Sequence, residues 1–332
     1  MPHKRRRPLT VMKFSVLINN HNYAAFVRAA VDGALAQSLP PHEIIVVDDG
    51  STDDSLTVLR GHYADHQLVK IIAQKNGGQF AAIDAGIAAA AGDVVCLLDA
   101  DDCYQPDYLA SLSALYQEKP WIDLAFCRFA VEGRPEHIGK TRNAIWSAPD
   151  GDYDYGVTAL LTYFCFKHHG TFMIGNVTSC LSLTLTLARR LRLGELGRQW
   201  ATPIQADNAL LLGASMLGAR KYYFARELVR YRMHGGNHWA GRPKMSAAER
   251  RRNRAQHRVA FDFYKELSGL ADADIQRLQS ELSTVPLPVR AHADAYRRLG
   301  KIFSWRDGHL RERRGLWRRL KDLRWIFADT RR

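Results

Sequence analysis

One stretch, Gly92 to Asp102, constrains the fold more than any other. It reads Gly-Asp-Val-Val-Cys-Leu-Leu-Asp-Ala-Asp-Asp. The apolar run Val94–Leu98 stops abruptly at Asp99, Asp101 and Asp102. A short apolar run with such an end predicts a parallel strand buried on both faces. Its carboxylates then fall at the C-terminal edge of the sheet, where open α/β sheets bind ligands. Three neighbouring carboxylates repel one another unless a cation lies among them. A hard ion such as Mg²⁺ takes one or two carboxylates together with phosphate oxygens. The residues alone equally allow a solvated acidic loop before a helix starting near Pro106.

The segments before this stretch alternate in period. Phe14–Ile18, Glu43–Asp48 and Val69–Ala73 read as strands. Helical spacing runs from Asn22 to Gln37 through Phe26, Ala30, Val31 and Leu35, and Leu39-Pro40-Pro41 ends it. Gly50 permits a tight turn, and Ser51 or Thr52 is placed to cap the helix carrying Leu56, Val58 and Leu59. Gln79–Ala91 reads as an Ala-rich helix. A βαβαβαβ order predicts an α/β domain, with a mostly parallel central sheet and helices on both faces. Further on, a helix is expected over Pro106–Gln117 and a strand over Asp123–Val131. Residues 132–155 read as loop, and 156–200 show no clean period. Asp207–Leu217 has helical spacing, and Lys221–Ala225 and Leu228–Arg232 read as two short strands.

Charge divides the chain. Residues 1–13 hold five Lys/Arg and no acid, and residues 241–332 hold 23 Lys/Arg against 11 Asp/Glu. The total is +13, so the body between carries −4. The ends suit an anionic surface, whereas the acidic body and its acidic strand ends argue against a nucleic-acid-binding sheet. The five cysteines form no C-x-x-C pair, which points to a reducing compartment. No run of 18 apolar residues predicts a spanning helix. No G-x-G-x-x-G follows a strand, which argues against a dinucleotide site.

In order, Ser15 to Tyr23, Ile44 to Asp53, Asn76-Gly77-Gly78 through Gly86, and Leu97 to Asp102 with Pro106 and Tyr108-Leu109 resemble a family 2 glycosyltransferase of the GT-A fold. The resemblance extends more weakly to Ala206-Asp207-Asn208 and Tyr231-Arg232-Met233-His234. It implies a nucleotide-diphospho-sugar donor, with Asn19, His21, Asp48, Asp49, Asn76 and Asp99 on the nucleotide side. It further implies Mg²⁺ or Mn²⁺ held by Asp99 and Asp101 of an Asp-x-Asp motif, with His234 nearby. Asp207 falls at the position of the catalytic base in an inverting transfer to a glycan or lipid-linked hydroxyl. Three departures stand out. Asn19-Asn20-His21-Asn22 replaces the usual Pro-Thr-Tyr-Asn, Ile83-Asp84 replaces Arg-Asn, and Ala206 precedes the expected base.

The expected organisation is a basic arm over 1–13, then a GT-A domain over 14–240, then a basic helical extension over 241–332. The GT-A domain divides into a nucleotide-binding half (14–118) and an acceptor-side half (119–240). Within the extension, residues 309–328 set Leu316, Leu320, Leu323 and Phe327 on one face amid arginines. That pattern suits either packing on the body or contact with an anionic membrane surface. The expected location is cytoplasmic, with peripheral attachment to the inner membrane face as the extension's contribution. Two other functions fit parts of the pattern. One is a haloacid-dehalogenase-type phosphatase, which also uses Asp-x-Asp but after its first strand. The other is a basic nucleic-acid-binding protein.

Overall fold

The computed structural model describes residues 12–133, 151–156, 177–199, 206–235, 237 and 247–271, all within one compact unit, Met1–Ala271. Residues 1–11 of the basic arm and the basic face at 309–328 lie outside the described residues.

The first half follows the alternation closely. Strands β1 (Phe14–Asn20), β2 (Glu43–Asp49), β3 (Val69–Gln74) and β4 (Val94–Asp99) alternate with helices α1 (Ala24–Leu35), α2 (Ser55–Tyr63) and α3 (Gln79–Ala89). They form a parallel block in the order β3-β2-β1-β4. β1 and β4 are apolar and buried along most of their length because helices cover both faces. One face packs Val16, Ile18, Val46, Cys96 and Leu98 against Val27, Ala30 and Val31 of α1. On α3, a Cβ at Gly86 would lie 2.4 Å from Leu17 Cδ1, so glycine there lets helix and sheet approach closely. The direction of strand addition reverses between β1 and β4, which makes their C-terminal ends the topological switch point.

The capping expected of Ser51 and Thr52 is not what the structure shows. α2 begins later, at Ser55, and Asp53 serves both helix starts: Oδ1 accepts from Ser55 N at 3.0 Å and Oδ2 from Ala24 N at 2.9 Å. Ser51 is drawn instead onto Asp48.

The second half is mixed. After β5 (Cys103–Tyr104) and α4 (Tyr108–Glu118) come β6 (Leu124–Gly133), β7 (Tyr153–Gly156), a 3-10 turn at Thr178–Cys180 and β8 (Leu181–Thr184). Helices α5 (Leu185–Arg190), α6 (Leu193–Arg198) and α7 (Ala206–Met216) precede β9 (Lys221–Met233), and α8 (Ala247–Ser268) follows. β8 runs antiparallel to both β4 and β6, extending the sheet past the switch point, and β9 pairs parallel with β6. The two short strands expected over 221–232 are one strand, β9. Its register against β6 slips on either side of Arg128, so the inside–outside alternation breaks near Ala225–Glu227. Every residue of α7 is buried, including Asp207 and Asn208. A Cβ at Gly213 would lie 2.4 Å from Cζ of the fully buried Tyr264, so α8 seats tightly against α7.

Candidate active site

The acidic ends of β2 and β4 flank the end of β1 at the switch point, with Asp48 opposite Asn20 and Asp99 opposite Asn19. Asn19 and Asp99 are register partners across β1 and β4. Asn19 Nδ2 and Gln79 Nε2 both donate to Asp99 Oδ1 at 3.0 Å. His234 lies just past the end of β9, with Nε2 3.2 Å from Asp101 Oδ2. Its ring stacks on Phe26 of α1, centroids 4.5 Å apart, while Tyr23 meets it edge-on at 5.9 Å. Asn237 Nδ2 also donates to Asp101 Oδ2, at 3.3 Å. Asp102, fully buried, accepts from Ser179 Oγ at 2.6 Å and from Arg232 N at 2.9 Å.

These carboxylates are hard to ionise where they stand. Burial pushes Asp99 up to about 7, and the Asp101 charge adds to it. Burial also raises Asp101, with His234 working the other way. Asp102 lies well above the usual carboxylate range through burial and the charges of Asp101 and Asp99. In the first turn of α7, burial raises Asp207 to about 8, with the Asp99 charge contributing. Tyr231 is pushed up by burial and by the charges of Asp102, Asp101, Asp99 and Asp207, so it shares their neighbourhood.

The end of β2 differs. Asp48 accepts from Asn20 Nδ2 at 2.7 Å and from Ser51 Oγ at 2.6 Å. Asp49 accepts from Gln74 Nε2 at 2.7 Å, Gly77 N at 2.9 Å and Gly78 N at 2.7 Å. Both thus shape the surrounding loops. Gly50, at φ 68°, lies against Asn76: a Cβ there would come within 2.5 Å of Asn76 N. His21 and Asn76 are exposed on these loops. Among the described residues, the buried Oδ1 atoms of Asn19 and Asn20 have no hydrogen-bond partner, so a bound donor group would satisfy them. Asp84, the departure on α3, packs its carboxylate against the first turn of α6, where a Cβ at Gly194 would lie 2.1 Å from Oδ2.

The donor chemistry fits a divalent cation. Oxygen ligands suit Mg²⁺ or Mn²⁺, and a positive charge would offset the mutual repulsion of Asp99, Asp101 and Asp102. Among the described residues no three His, Cys, Asp or Glu side chains form a closed ligand set. An ion held by one or two carboxylates and substrate phosphates needs no such set.

Ser179, Asn237, Gln79, Tyr23 and Phe26 complete this site and were not anticipated as members of it. Tyr23 and Phe26 come from the start of α1, Gln79 from α3, Ser179 from the 3-10 turn and Asn237 from beyond β9, with no spacing that links them to the aspartates.

A parallel block that ends in carboxylates at its switch point, continued by an antiparallel strand, is the architecture of GT-A sugar-nucleotide transferases. Residues 15–189, more than half of the chain, match the family described as Glycosyl transferase family 2. The chain belongs to that family. The phosphatase reading falls with that assignment. An uncharacterized glycosyltransferase of Nostoc sp. is 33% identical over 234 residues, covering 68% of this chain and 66% of its own length. The Escherichia coli chondroitin synthase is 38% identical over 93 residues, 28% of this chain and 14% of that protein. The chain thus spans just under two thirds of the first relative and a small part of the second. Among solved structures, S. aureus TarS residues 1–349 with UDP-GlcNAc align at TM-score 0.53 and 16% identity, over 85% of this chain and 79% of that one. The mannosyltransferase PcManGT from Pyrobaculum calidifontis, with GDP-Man and Mn²⁺, aligns at TM-score 0.50 and 17% identity, over 91% and 78%. At such identities the likeness establishes the fold. Among the described residues no helix is long and apolar enough to cross a membrane.

Proposed function

We propose that this family member is a metal-dependent, inverting glycosyltransferase, moving a sugar from a nucleotide-diphospho-sugar to a hydroxyl of a glycan or lipid-linked acceptor. One observation carries the reading. A buried carboxylate, Asp207, lies close enough to the acidic end of β4 for the Asp99 charge to raise its pKa. A base and a diphosphate-side carboxylate then serve one site from two elements. The ligands seen with TarS and PcManGT, UDP-GlcNAc and GDP-Man with Mn²⁺, support a sugar nucleotide as donor.

On this reading Asn19, His21, Asp48, Asp49 and Asn76 frame the nucleoside, and residues 14–118 form the donor side. Asp99 and Asp101 would hold Mg²⁺ or Mn²⁺, with His234 beside them. When bound, such an ion supplies positive charge for the leaving diphosphate. Asp207 takes the proton from the acceptor hydroxyl as its oxygen bonds to the anomeric carbon. The bond from that carbon to the diphosphate breaks, and its electron pair leaves with the nucleoside diphosphate. Attack opposite the leaving group inverts the anomeric centre, and no covalent enzyme intermediate forms. Residues 119–240 form the acceptor side. The basic amphipathic stretch at 309–328 contributes contact with an anionic membrane surface.

A thermal-shift panel of UDP, GDP, dTDP and CDP, each with Mn²⁺ or with EDTA, tests the donor site. A ligand binding only the native state at 100 times its Kd stabilises by about 2.7 kcal/mol. One nucleotide raising Tm only with Mn²⁺ is expected. Equal shifts in EDTA would remove the metal from the reading.

A further inference from the structure

The third aspartate of the acidic cluster is the candidate the donor-site reading leaves without a role. Asp102 is fully buried and both its oxygens are engaged, Oδ2 by the Ser179 hydroxyl and Oδ1 by Arg232 N. Ser179 is also fully buried, and its Oγ accepts from Asp99 N at 3.0 Å while its proton goes to Asp102. The carbonyl of Arg232 accepts from Asn237 Nδ2 at 2.9 Å, and that same amide donates to Asp101 Oδ2. The bonds therefore close a ring: Asp99, Ser179, Asp102, Arg232, Asn237, Asp101, and back along the main chain to Asp99. Within the ring, Asp102 N donates to Asp99 O at 3.0 Å. The ring draws on three elements, the end of β4, the 3-10 turn before β8 and the end of β9.

We propose that Ser179 and Asp102 are positioning residues, which set the spacing and aim of the Asp99 and Asp101 carboxylates toward a divalent cation, with Asp102 itself not a ligand. This rests on the reading of Asp99 and Asp101 as the metal-bearing pair. The physical reason is leverage. Ser179 grips the main chain of one of the pair, and Asp102 ties β9, which carries His234 two residues beyond Arg232, to the same strand end. Both Asp102 oxygens are held by protein donors, Oδ2 by Ser179 and Oδ1 by Arg232 N, so turning Asp102 toward a metal would strain the link that holds β9. Ligands whose outer partners are lost still fold into place but lose aim. Such losses weaken metal affinity by about 10–100-fold.

Mn²⁺ binding to the full chain, followed by the disappearance of the free-ion electron paramagnetic resonance signal, reads this directly. Ser179→Ala removes the bridge, and Asp102→Asn keeps shape and the acceptor for Arg232 N while presenting an amide to Ser179. Both are titrated well below their melting temperatures. Near-ultraviolet circular dichroism verifies the fold, and Asp102→Asn stands in if Ser179→Ala does not fold. A drop of at least tenfold in Mn²⁺ affinity, in a folded variant, is expected. A folded variant that binds Mn²⁺ within twofold of the wild type overturns the positioning role while leaving the metal site intact. Wild-type protein that binds no Mn²⁺, alone or with UDP or GDP, overturns the metal reading itself and the positioning role with it.

Discussion

Strands β2 and β4 both end in aspartates, yet the two ends meet their charge differently. Asp48 and Asp49 are surrounded by donors. Asp49 alone accepts one side-chain amide and two backbone N–H groups. Asp99, Asp101 and Asp102 stand together, each raised by burial, with Asp101 adding to the shifts of both Asp99 and Asp102. The end of β2 is complete within the fold, and its carboxylates spend their charge on holding loops. The end of β4 crowds three carboxylates whose charges raise one another even with protein donors around them. Carboxylates held this far from their ordinary state mark a place for chemistry, whereas satisfied ones mark a frame.

The largest test of this contrast is Asp207→Asn. Loss of the base should lower kcat by about 10²–10⁴-fold, while the Kd for nucleotide stays near the wild-type value. The same substitution should raise Tm at pH 9. The folded protein holds Asp207 protonated up to about 8, whereas a free carboxyl ionises near 3.9. The native state thus binds more protons between those values, and stability from this group falls as pH rises through them. Asparagine has no such loss. Equal falls in turnover and nucleotide affinity, or a lower Tm at pH 9, would contradict the assignment of Asp207 to the chemistry.

Asp49→Ala probes the other end. It leaves Gly77 N, Gly78 N and Gln74 Nε2 without their acceptor. A hydrogen bond to a charged group contributes about 1.5–3 kcal/mol, and water can replace part of it on a partly exposed loop. A loss of about 2–4 kcal/mol is expected in denaturant unfolding, with weaker nucleotide binding following from the loosened loop. Wild-type stability together with lost nucleotide binding would make Asp49 a direct contact and erase the contrast.

Much of the first half was legible because its signals are local. Apolar runs such as Ile44–Val47 and Val94–Leu98, each closed by aspartates, report strand, edge and direction within ten residues. The second half hides its plan. β9 looked like two strands because the slip beside Arg128 spoils the alternation. β8 is only four residues long, Leu181–Thr184, yet it joins the two halves of the sheet. Asp207 was visible through its family resemblance, since a carboxylate in a first turn is otherwise an ordinary helix start. Ser179 had no signal, for a serine in a three-residue turn acquires its partners, Asp99 N and Asp102, only when the end of β4 arrives from elsewhere. A hydrogen-bonded ring built from single residues of distant segments leaves no period to read.

The smallest effect separates the two ends by titration. The base must be ionised to accept a proton, and kcat/KM reports the free enzyme's ionisations. With Asp207 held up to about 8, kcat/KM should rise about tenfold per pH unit below that value and level off above it. Asp99, at about 7, titrates within the same range, so the limb alone does not assign the residue. Residual turnover of Asp207→Asn supplies the assignment: it should lose the component near 8 while keeping any that belongs to Asp99. A bound divalent cation favours the ionised carboxylates, so the limb should move toward acid as Mn²⁺ is raised to saturation. An unchanged limb in Asp207→Asn would give the ionisation to the β4 end alone, and the proton would then have to leave the acceptor by a route that does not pass through α7.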